Sequence, residues 1–356
     1  MRIRNVLPIA LIAICASLLR AQTAGFFDLV QNGSPADVQA AIAKGADVNA
    51  KDGNGATPLL LAAQANGNPD VIKVLAKAGA DLNAKDSNGC TPLVCNLENT
   101  KPSPSVILTL VAAGADTNAS DNNGYTPLLL AIQKKLPADL IGTLLKAGAS
   151  AKPTSVEAPL IAALNKKYPP QIIEALLKAG ATANDKNRNG VTALAAALSS
   201  NQSSNTISIL LKAGADAKAR TRDGLTMLML AASNDFNPGV GPLLVSAGAD
   251  INAKDPNGGT ALLYALTQGM AAGSTPRVVL ALVATGADVN AQDADGVTAL
   301  MYAASLESAP LLVPALLKKG ANAKVADKSG KKAVDYAKQN AKLNGSPALQ
   351  QLLDAS

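Results

Sequence analysis

The chain has 356 residues, of which 48% are apolar and only 2% aromatic, with no His and no Trp. Without His there is no Ser-His or Cys-His nucleophile pair and no imidazole metal site, and so few aromatics argue against a deep aromatic-lined cofactor pocket. The formal net charge of +6 comes without a long basic run or a basic helix, which gives nucleic-acid binding no support.

At the N-terminus, Arg2 and Arg4 precede a mostly apolar run over residues 6–19, too short for a spanning helix. The pattern reads as a signal peptide over residues 1–21, with cleavage after Ala21 or Ala24. Cys15 follows Ile14, which is bulkier than lipid-attachment signals take. The Ala-rich leader points to bacterial export, placing the mature chain in the periplasm or beyond, with no membrane span left after cleavage. Removal of Arg2, Arg4 and Arg20 leaves a charge of +3. Residues 25–44 read as an opening half-repeat, with Phe26, Phe27 and Val30 inward and Asp28 and Gln31 toward water.

From Gly45 one string is rewritten down the chain. It reads GADVNAKDGNGATPLLLAA from Gly45, GADLNAKDSNGCTPL from Gly79, GADTNASDNNGYTPLLLAI from Gly114, GADINAKDPNGGTALLYAL from Gly248 and GADVNAQDADGVTALMYAA from Gly286. Weaker copies start at Gly148, Gly180, Gly214 and Gly320. Registered on the Thr of Thr-Pro-Leu, they fall at Thr57, Thr91, Thr126, Ala158, Thr192, Thr226, Thr260, Thr298 and Lys332. The steps are 34, 35, 32, 34, 34, 34, 38 and 34 residues. A period of this length means a stack of similar units.

Each unit is built on the same physics. The apolar run Val71, Ile72, Val74 and Leu75 is a helix with one buried stripe, and Gly79 accepts the left-handed conformation that ends it. Asp52 to Gly55 supplies hairpin-tip residues tolerant of positive φ. Thr57 offers a hydroxyl to cap the next helix, and Pro58 sits where its missing N–H is harmless. The unit is tip, short helix, loop and second helix, and it cannot bury its apolar faces alone. The fold class expected is an all-α repeat solenoid over residues 25–356, a stack of helix-turn-helix units joined by β-hairpin loops. It has an opening half-repeat and about nine further units, the last a polar cap rich in Lys331, Lys332, Lys338 and Lys342.

The Gly-Ala-Asp, Asp-x-x-Gly and Thr-Pro-Leu elements, recurring in register, resemble the ankyrin repeat over nearly all of the chain after residue 24. The resemblance implies a monomeric, non-enzymatic protein without a cofactor, which binds another protein on a concave face of hairpin tips and first helices. One position departs from the family, which usually carries His after Thr-Pro-Leu. Here it holds Leu60, Val94, Leu129, Ile161, Ala195, Met229, Leu263, Met301 and Asp335. That His joins a hydrogen-bond network in the family, so the expected consequence is a stack held more by apolar contact than by that network.

Departures between the copies mark the candidate contact residues. Asn122 and Asn123 form one small, uncharged tip, and Tyr125 beside them is a candidate aromatic anchor. The unit at Gly148 loses the Asp and Gly of its tip, and Pro153 makes its hairpin irregular. The densest charge follows: Lys186 and Arg188 on one tip, Arg220 and Arg222 on the next, with Lys152 on the preceding unit. Side by side, and diluted by Asp185 and Asp223, they would offer a docking patch to an acidic protein. The alternative is a glycan or cell-wall ligand held by the Asn-rich tips and Tyr125.

Tyr264, Tyr302 and Tyr336 read as packing, and residues 267–276 as an enlarged mobile loop. Cys90 and Cys95 stand five residues apart, an offset that on a helix turns the side chains away from each other, so two buried thiols are expected. At Asp185 the opening of a calcium loop (DKNRNG) has Ala196 where a bidentate Glu is required. No catalytic, metal or cofactor site is expected.

Overall fold

Helices start where the repeat places Thr and stop where it places Gly. In the computed structural model, which describes residues 23–234, 237–272 and 276–356, Thr57 Oγ1 accepts the Leu60 amide at 3.4 Å. Thr91, Thr126, Thr192, Thr226, Thr260 and Thr298 cap their helices in the same way. Thr57, Thr91, Thr260 and Thr298 are buried, so the hydroxyl satisfies an amide that water does not reach. At Thr226 and Thr298 the bond is reciprocal: their own amides donate to Sδ of Met229 and Met301, both at 3.4 Å. Second helices end on a 6→1 bond, as from the Ala80 amide to the Leu75 carbonyl at 3.1 Å, with Gly79 at φ 87°. Ala46, Ala115, Ala149, Ala215, Ala249, Ala287 and Ala321 carry the same bond, which explains why Gly-Ala recurs as a pair.

The chain divides into two compact units. One ends at Ala162 and takes in Lys178–Ala181; the other comprises Ala163–Leu177 and Thr182–Ser356. In the first, residues 23–32 are helical and precede Pro35–Ala43. The pairs Pro58–Ala65 with Pro69–Lys77, Pro92–Glu98 with Pro104–Ala112, and Pro127–Gln133 with Ala138–Lys146 follow. In the second, the pairs are Ala193–Ser199 with Ser204–Lys212, Met227–Ser233 with Val240–Ser246, Ala261–Ala272 with Pro276–Thr285, and Ala299–Ser305 with Ala309–Lys318. Ala333–Ala337 and Pro347–Ala355 close it. The helices Pro159–Asn165 and Pro170–Lys178 contain the boundary. Among the described residues no helix is long and apolar enough to cross a membrane. The signal-peptide reading, with Cys15 and the Ala21 cleavage point, lies outside the described residues.

Within each unit the core is aliphatic. Leu59, Ile72, Leu75, Leu93, Ile107 and Leu128 are fully buried in the first, with Leu210, Leu244 and Leu300 among their counterparts in the second. A polar ladder runs beside this core. The side chain of Asn49 donates to the Gly79 carbonyl (3.1 Å) and accepts the Asp81 amide (2.8 Å), so it clamps the start of the next repeat at two points. Asn118 does the same to Gly148 and Ser150, Asn184 to Gly214 and Asp216, and Asn290 to Gly320 and Asn322. Lys152 and Lys218 take the clamp position in two repeats, and their stems lie close to Gly180 and Gly248. This ladder adds hydrogen bonds to the apolar contact between repeats. The Asn of Gly-Ala-Asp-x-Asn supplies the inter-repeat bonding that the missing His does not.

Three further expectations are refined. The hairpin with Pro153 is irregular, and Thr154 Oγ1 replaces the tip carboxylate by accepting the amides of Val156 and Glu157. Residues 267–272 are not loop: the helix continues to Ala272, because Gln, Met and Ala favour it strongly enough to carry Gly269. Phe26 and Val30 are buried as expected, but Phe27 is only partly so.

Replacing Asn290 with Ala removes two inter-repeat bonds and is expected to lower stability by about 1–2 kcal/mol. Urea unfolding checks this, and a change below about 0.3 kcal/mol would mean that the clamp adds nothing to stacking.

Candidate functional site

Each regular tip is wrapped around one carboxylate. Asp52 Oδ1 accepts the amides of Asn54 and Ala56, both at 2.8 Å, while Gly55 takes φ 77°. Asp86, Asp121, Asp255, Asp293 and Asp327 repeat the pair of bonds, and Asn187 stands in at one tip. Neighbouring tips are chained by backbone bonds of 2.9 Å: Ser87 to Asn54, Asn122 to Asn88, Ala294 to Asn257 and Lys328 to Asp295. Within each unit the tips form a row of fixed polar groups.

Behind the tip, the residue before Thr and the fourth residue of the first helix approach each other at Cys90 and Cys95, Gly259 and Tyr264, and Lys331 and Tyr336. These are the two staple positions of a capped helix. In three consecutive repeats of the second unit the helix residue is Tyr, and its hydroxyl donates to Oδ2 of the tip carboxylate. The pairs are Tyr264 with Asp255 (2.6 Å), Tyr302 with Asp293 (2.6 Å) and Tyr336 with Asp327 (2.5 Å). All three rings are partly exposed, and Lys331 at the other staple position sits 6.0 Å above the Tyr336 ring. A cleft of about 200 Å³ separates Tyr264 from Tyr302. The reading of these tyrosines as packing is thus incomplete: each ties its helix to its tip. The missed signal was the nine-residue spacing from Asp to Tyr, which recurs in the sequence.

The pairing shows in the acidities. Burial, and then the Asp255 carboxylate, push Tyr264 up to about 12, and the same causes raise Tyr302. For Tyr336 the bond to Asp327 comes first, burial second, and it too rises to about 12. Asp327 is held down to about 2 by the hydroxyls of Tyr336 and Ser329.

Cys90 and Cys95 also occupy the staple positions, and this corrects the expectation that their side chains point apart. Cys90 lies before the cap, on extended chain, so the turn at Thr91 folds it back over the helix. One donor atom each from Asp86, Cys90 and Cys95 lies within 4.8 Å of the others, and the Cys90 thiol donates to Glu98 Oε2 at 3.3 Å. Both thiols are free and buried. Burial pushes both up, Cys95 to about 12.

The candidate contact residues fall into separate places. Asn122 donates to the Ser87 carbonyl (3.1 Å) and Asn123 to Asp121 (3.2 Å), so both side chains serve the tips themselves. Tyr125 is partly exposed at the staple position beside them. Lys152 is exposed at the clamp position of the first unit. In the second unit Lys186, Arg188, Arg220 and Arg222 are all exposed on two adjacent tips. Arg222 reaches back to the Asn189 carbonyl (3.2 Å), and Arg220 bonds the carbonyls of Gly224 (2.7 Å) and Lys254 (3.0 Å). The two arginines brace tips as well as charging them. Asp185, which opened the calcium-loop pattern, is turned to Thr182 by bonds of 2.8 and 2.6 Å.

A family model described as ankyrin repeats (3 copies) matches residues 26–121, 160–255, 204–273 and 268–355, well over half of the chain. The chain belongs to the ankyrin repeat family. Among solved structures it is similar to the ankyrin repeat domain of Bcl-3, described as a unique member of the IkappaB protein family. That match has 26% identity and a TM-score of 0.51, over 65% of this chain and 99% of the other. No curated protein matches the chain. Ankyrin repeats make it a scaffold for protein–protein interaction, in a family whose members are generally not enzymes.

The Tyr336–Asp327 bond sets a pH dependence. A raised Tyr contributes stability that is present below its unfolded value of about 10 and lost as pH rises toward about 12. A depressed Asp contributes stability that is present above about 4 and lost as pH falls toward about 2. Tyr336→Phe is therefore expected to be less stable than the parent at pH 7. The gap should close at both extremes, as read from urea midpoints across pH.

Proposed function

We propose that this ankyrin-repeat chain is exported and works outside the cytoplasm, binding an acidic protein on the face made by its tips and first helices. What carries the reading is the rigidity of that face. Each regular tip is held by its own carboxylate and by the neighbouring tip, so a partner meets groups already in place and little ordering entropy is lost on binding. Lys186, Arg188, Arg220 and Arg222 give two adjacent tips one sign of charge, diluted by Asp223. Guanidinium groups that spend one or two donors on a neighbouring carbonyl still present their charge and remaining N–H groups outward. Tyr264 and Tyr302, partly exposed at the cleft, add aromatic surface to the same kind of face.

Export rests on the leader pattern of residues 1–21. Cleavage after Ala21 is favoured over Ala24 because residues 23–32 are helical, and cutting after Ala24 would shorten that helix. The reading takes the mature chain as a monomer. A glycan ligand on the remaining polar groups of Asn122 and Asn123, each of which spends one N–H within the tips, stays as the second reading.

The test is affinity capture from the exported fraction of the native cell, with the mature chain beside a Lys186→Glu/Arg188→Glu variant that leaves the Arg220 and Arg222 braces in place. One protein retained by the parent, and at least about tenfold less by the variant, is expected. Equal retention would remove the basic tips as the contact, and no retained protein would remove the acidic-partner reading. N-terminal sequencing of the exported chain should begin at Gln22.

A further inference from the structure

Two cysteines and the carboxylate of Asp86 meet at one tip of the first unit, and a second carboxylate, Glu98, reaches one of the thiols. We propose that Asp86, Cys90, Cys95 and Glu98 form a binding site for a divalent ion of the zinc class. The inference is independent of the scaffold reading.

The tip and the cap bring Asp86, Cys90 and Cys95 together, and Glu98 follows Cys95 by one turn of the same helix. Asp86 Oδ1 accepts the amides of Asn88 (2.9 Å) and Cys90 (2.8 Å), which fixes its carboxylate at the base of the tip. The staple contact sets Cys90 against Cys95. Cys95 stands where later repeats have the Tyr whose hydroxyl reaches the tip carboxylate, as Tyr264 does to Asp255. The shorter Cys side chain leaves room between sulfur and carboxylate. Donor atoms from Asp86, Cys90 and Cys95 all lie within 4.8 Å of one another, and Glu98 Oε2 is 3.3 Å from Cys90 Sγ. In a tetrahedral zinc site, metal–sulfur bonds of about 2.3 Å and metal–oxygen bonds of about 2.0–2.2 Å place neighbouring donors about 3.3–3.8 Å apart. Asp86, Cys90 and Cys95 stand near that spacing, and Glu98, which already reaches Cys90, would turn toward the other two on binding.

The donor set selects the ion. Two thiolates reject magnesium and calcium, which take oxygen ligands, and two carboxylates are poor ligands for a soft monovalent ion such as copper(I). A borderline divalent ion accepts both kinds. On binding, each thiol passes its proton to solvent and its sulfur electron pair to the metal, so two protons leave for each ion bound. The ion also brings positive charge to a point where Asp86 and Glu98 place negative charge. The cysteines are buried, Asp86 is partly exposed and Glu98 is exposed, so the cluster opens to solvent on the Glu98 side. The competing fate of the pair is a disulfide. Carboxylates around two thiols oppose the thiolate attack that disulfide exchange needs, while they favour a cation.

The test uses the whole chain, reduced and stripped of metal, with zinc alone as the calorimetric probe and cobalt(II) as its spectroscopic stand-in. The expected result is one equivalent of zinc bound, with release of protons and a thiolate-to-cobalt charge-transfer band. Cys95→Ser should abolish the band and weaken zinc at least about a hundredfold. Glu98→Gln, on the exposed side where folding is not at stake, should keep the band and weaken zinc at least about tenfold. Absence of the band in the reduced parent, or undiminished zinc binding in a Cys90→Ser/Cys95→Ser variant, would overturn the site. So would recovery of the chain from its own compartment with Cys90 and Cys95 joined as a disulfide.

Discussion

Everything in this chain depends on a repeat being unable to finish its own hydrogen bonding. Asn49, Asn118, Asn184 and Asn290 each donate to one backbone group and accept from another in the repeat that follows. A lone repeat would leave these amides and carbonyls to water and expose the aliphatic side chains that now face its neighbours. Stability in such an array comes mainly from neighbour contacts, so the clamp and the packed leucines act together. Two repeats replace the clamp Asn by Lys152 and Lys218, whose stems lie along the glycine that opens the next repeat.

The same constraint makes the tips useful. A surface hairpin of four residues has little reason to hold one shape, yet here a carboxylate collects its amides and the next tip takes a carbonyl from it. Three tyrosines extend the arrangement inward by tying the first helix to the tip carboxylate. The outcome is a row of polar and aromatic groups whose position is set before any partner arrives. Variation along the row then changes what is presented without changing how it is held. Basic side chains occupy two tips of the second unit, and a thiol pair occupies one tip of the first.

The fold was legible in the sequence because its signals are local and repeated: Thr before the helix, Gly-Ala after it, Asp-x-x-Gly at the tip. What the sequence hid was pairing between positions that look unrelated along the chain. The Asn of Gly-Ala-Asp-x-Asn reads as a turn residue until its partners thirty residues away are known. Cys90 and Cys95 read as diverging because a helical offset was applied to a residue lying outside the helix. Tyr264 and its equivalents read as core because a half-buried amphipathic ring among Ala and Leu resembles core in a linear pattern. The exposure of Lys186, Arg188, Arg220 and Arg222 follows from their place in the tips, while the brace role of Arg220 and Arg222 depends on carbonyls that no side-chain pattern announces. The helix that runs on to Ala272 was hidden by Gly269, which breaks a pattern more readily than it breaks a helix.

The central claim is that the tips are held as firmly as the helices behind them, and native-state hydrogen exchange tests it most directly. The amides to follow are those of Ala56, Cys90, Tyr125, Gly259 and Val297, each donated to a tip carboxylate. The account predicts that they exchange with protection within about tenfold of first-helix amides in the same repeat, because both open only when the stack opens. Exchange near the rate of an unstructured chain at these five positions, with the helices still protected, would contradict it.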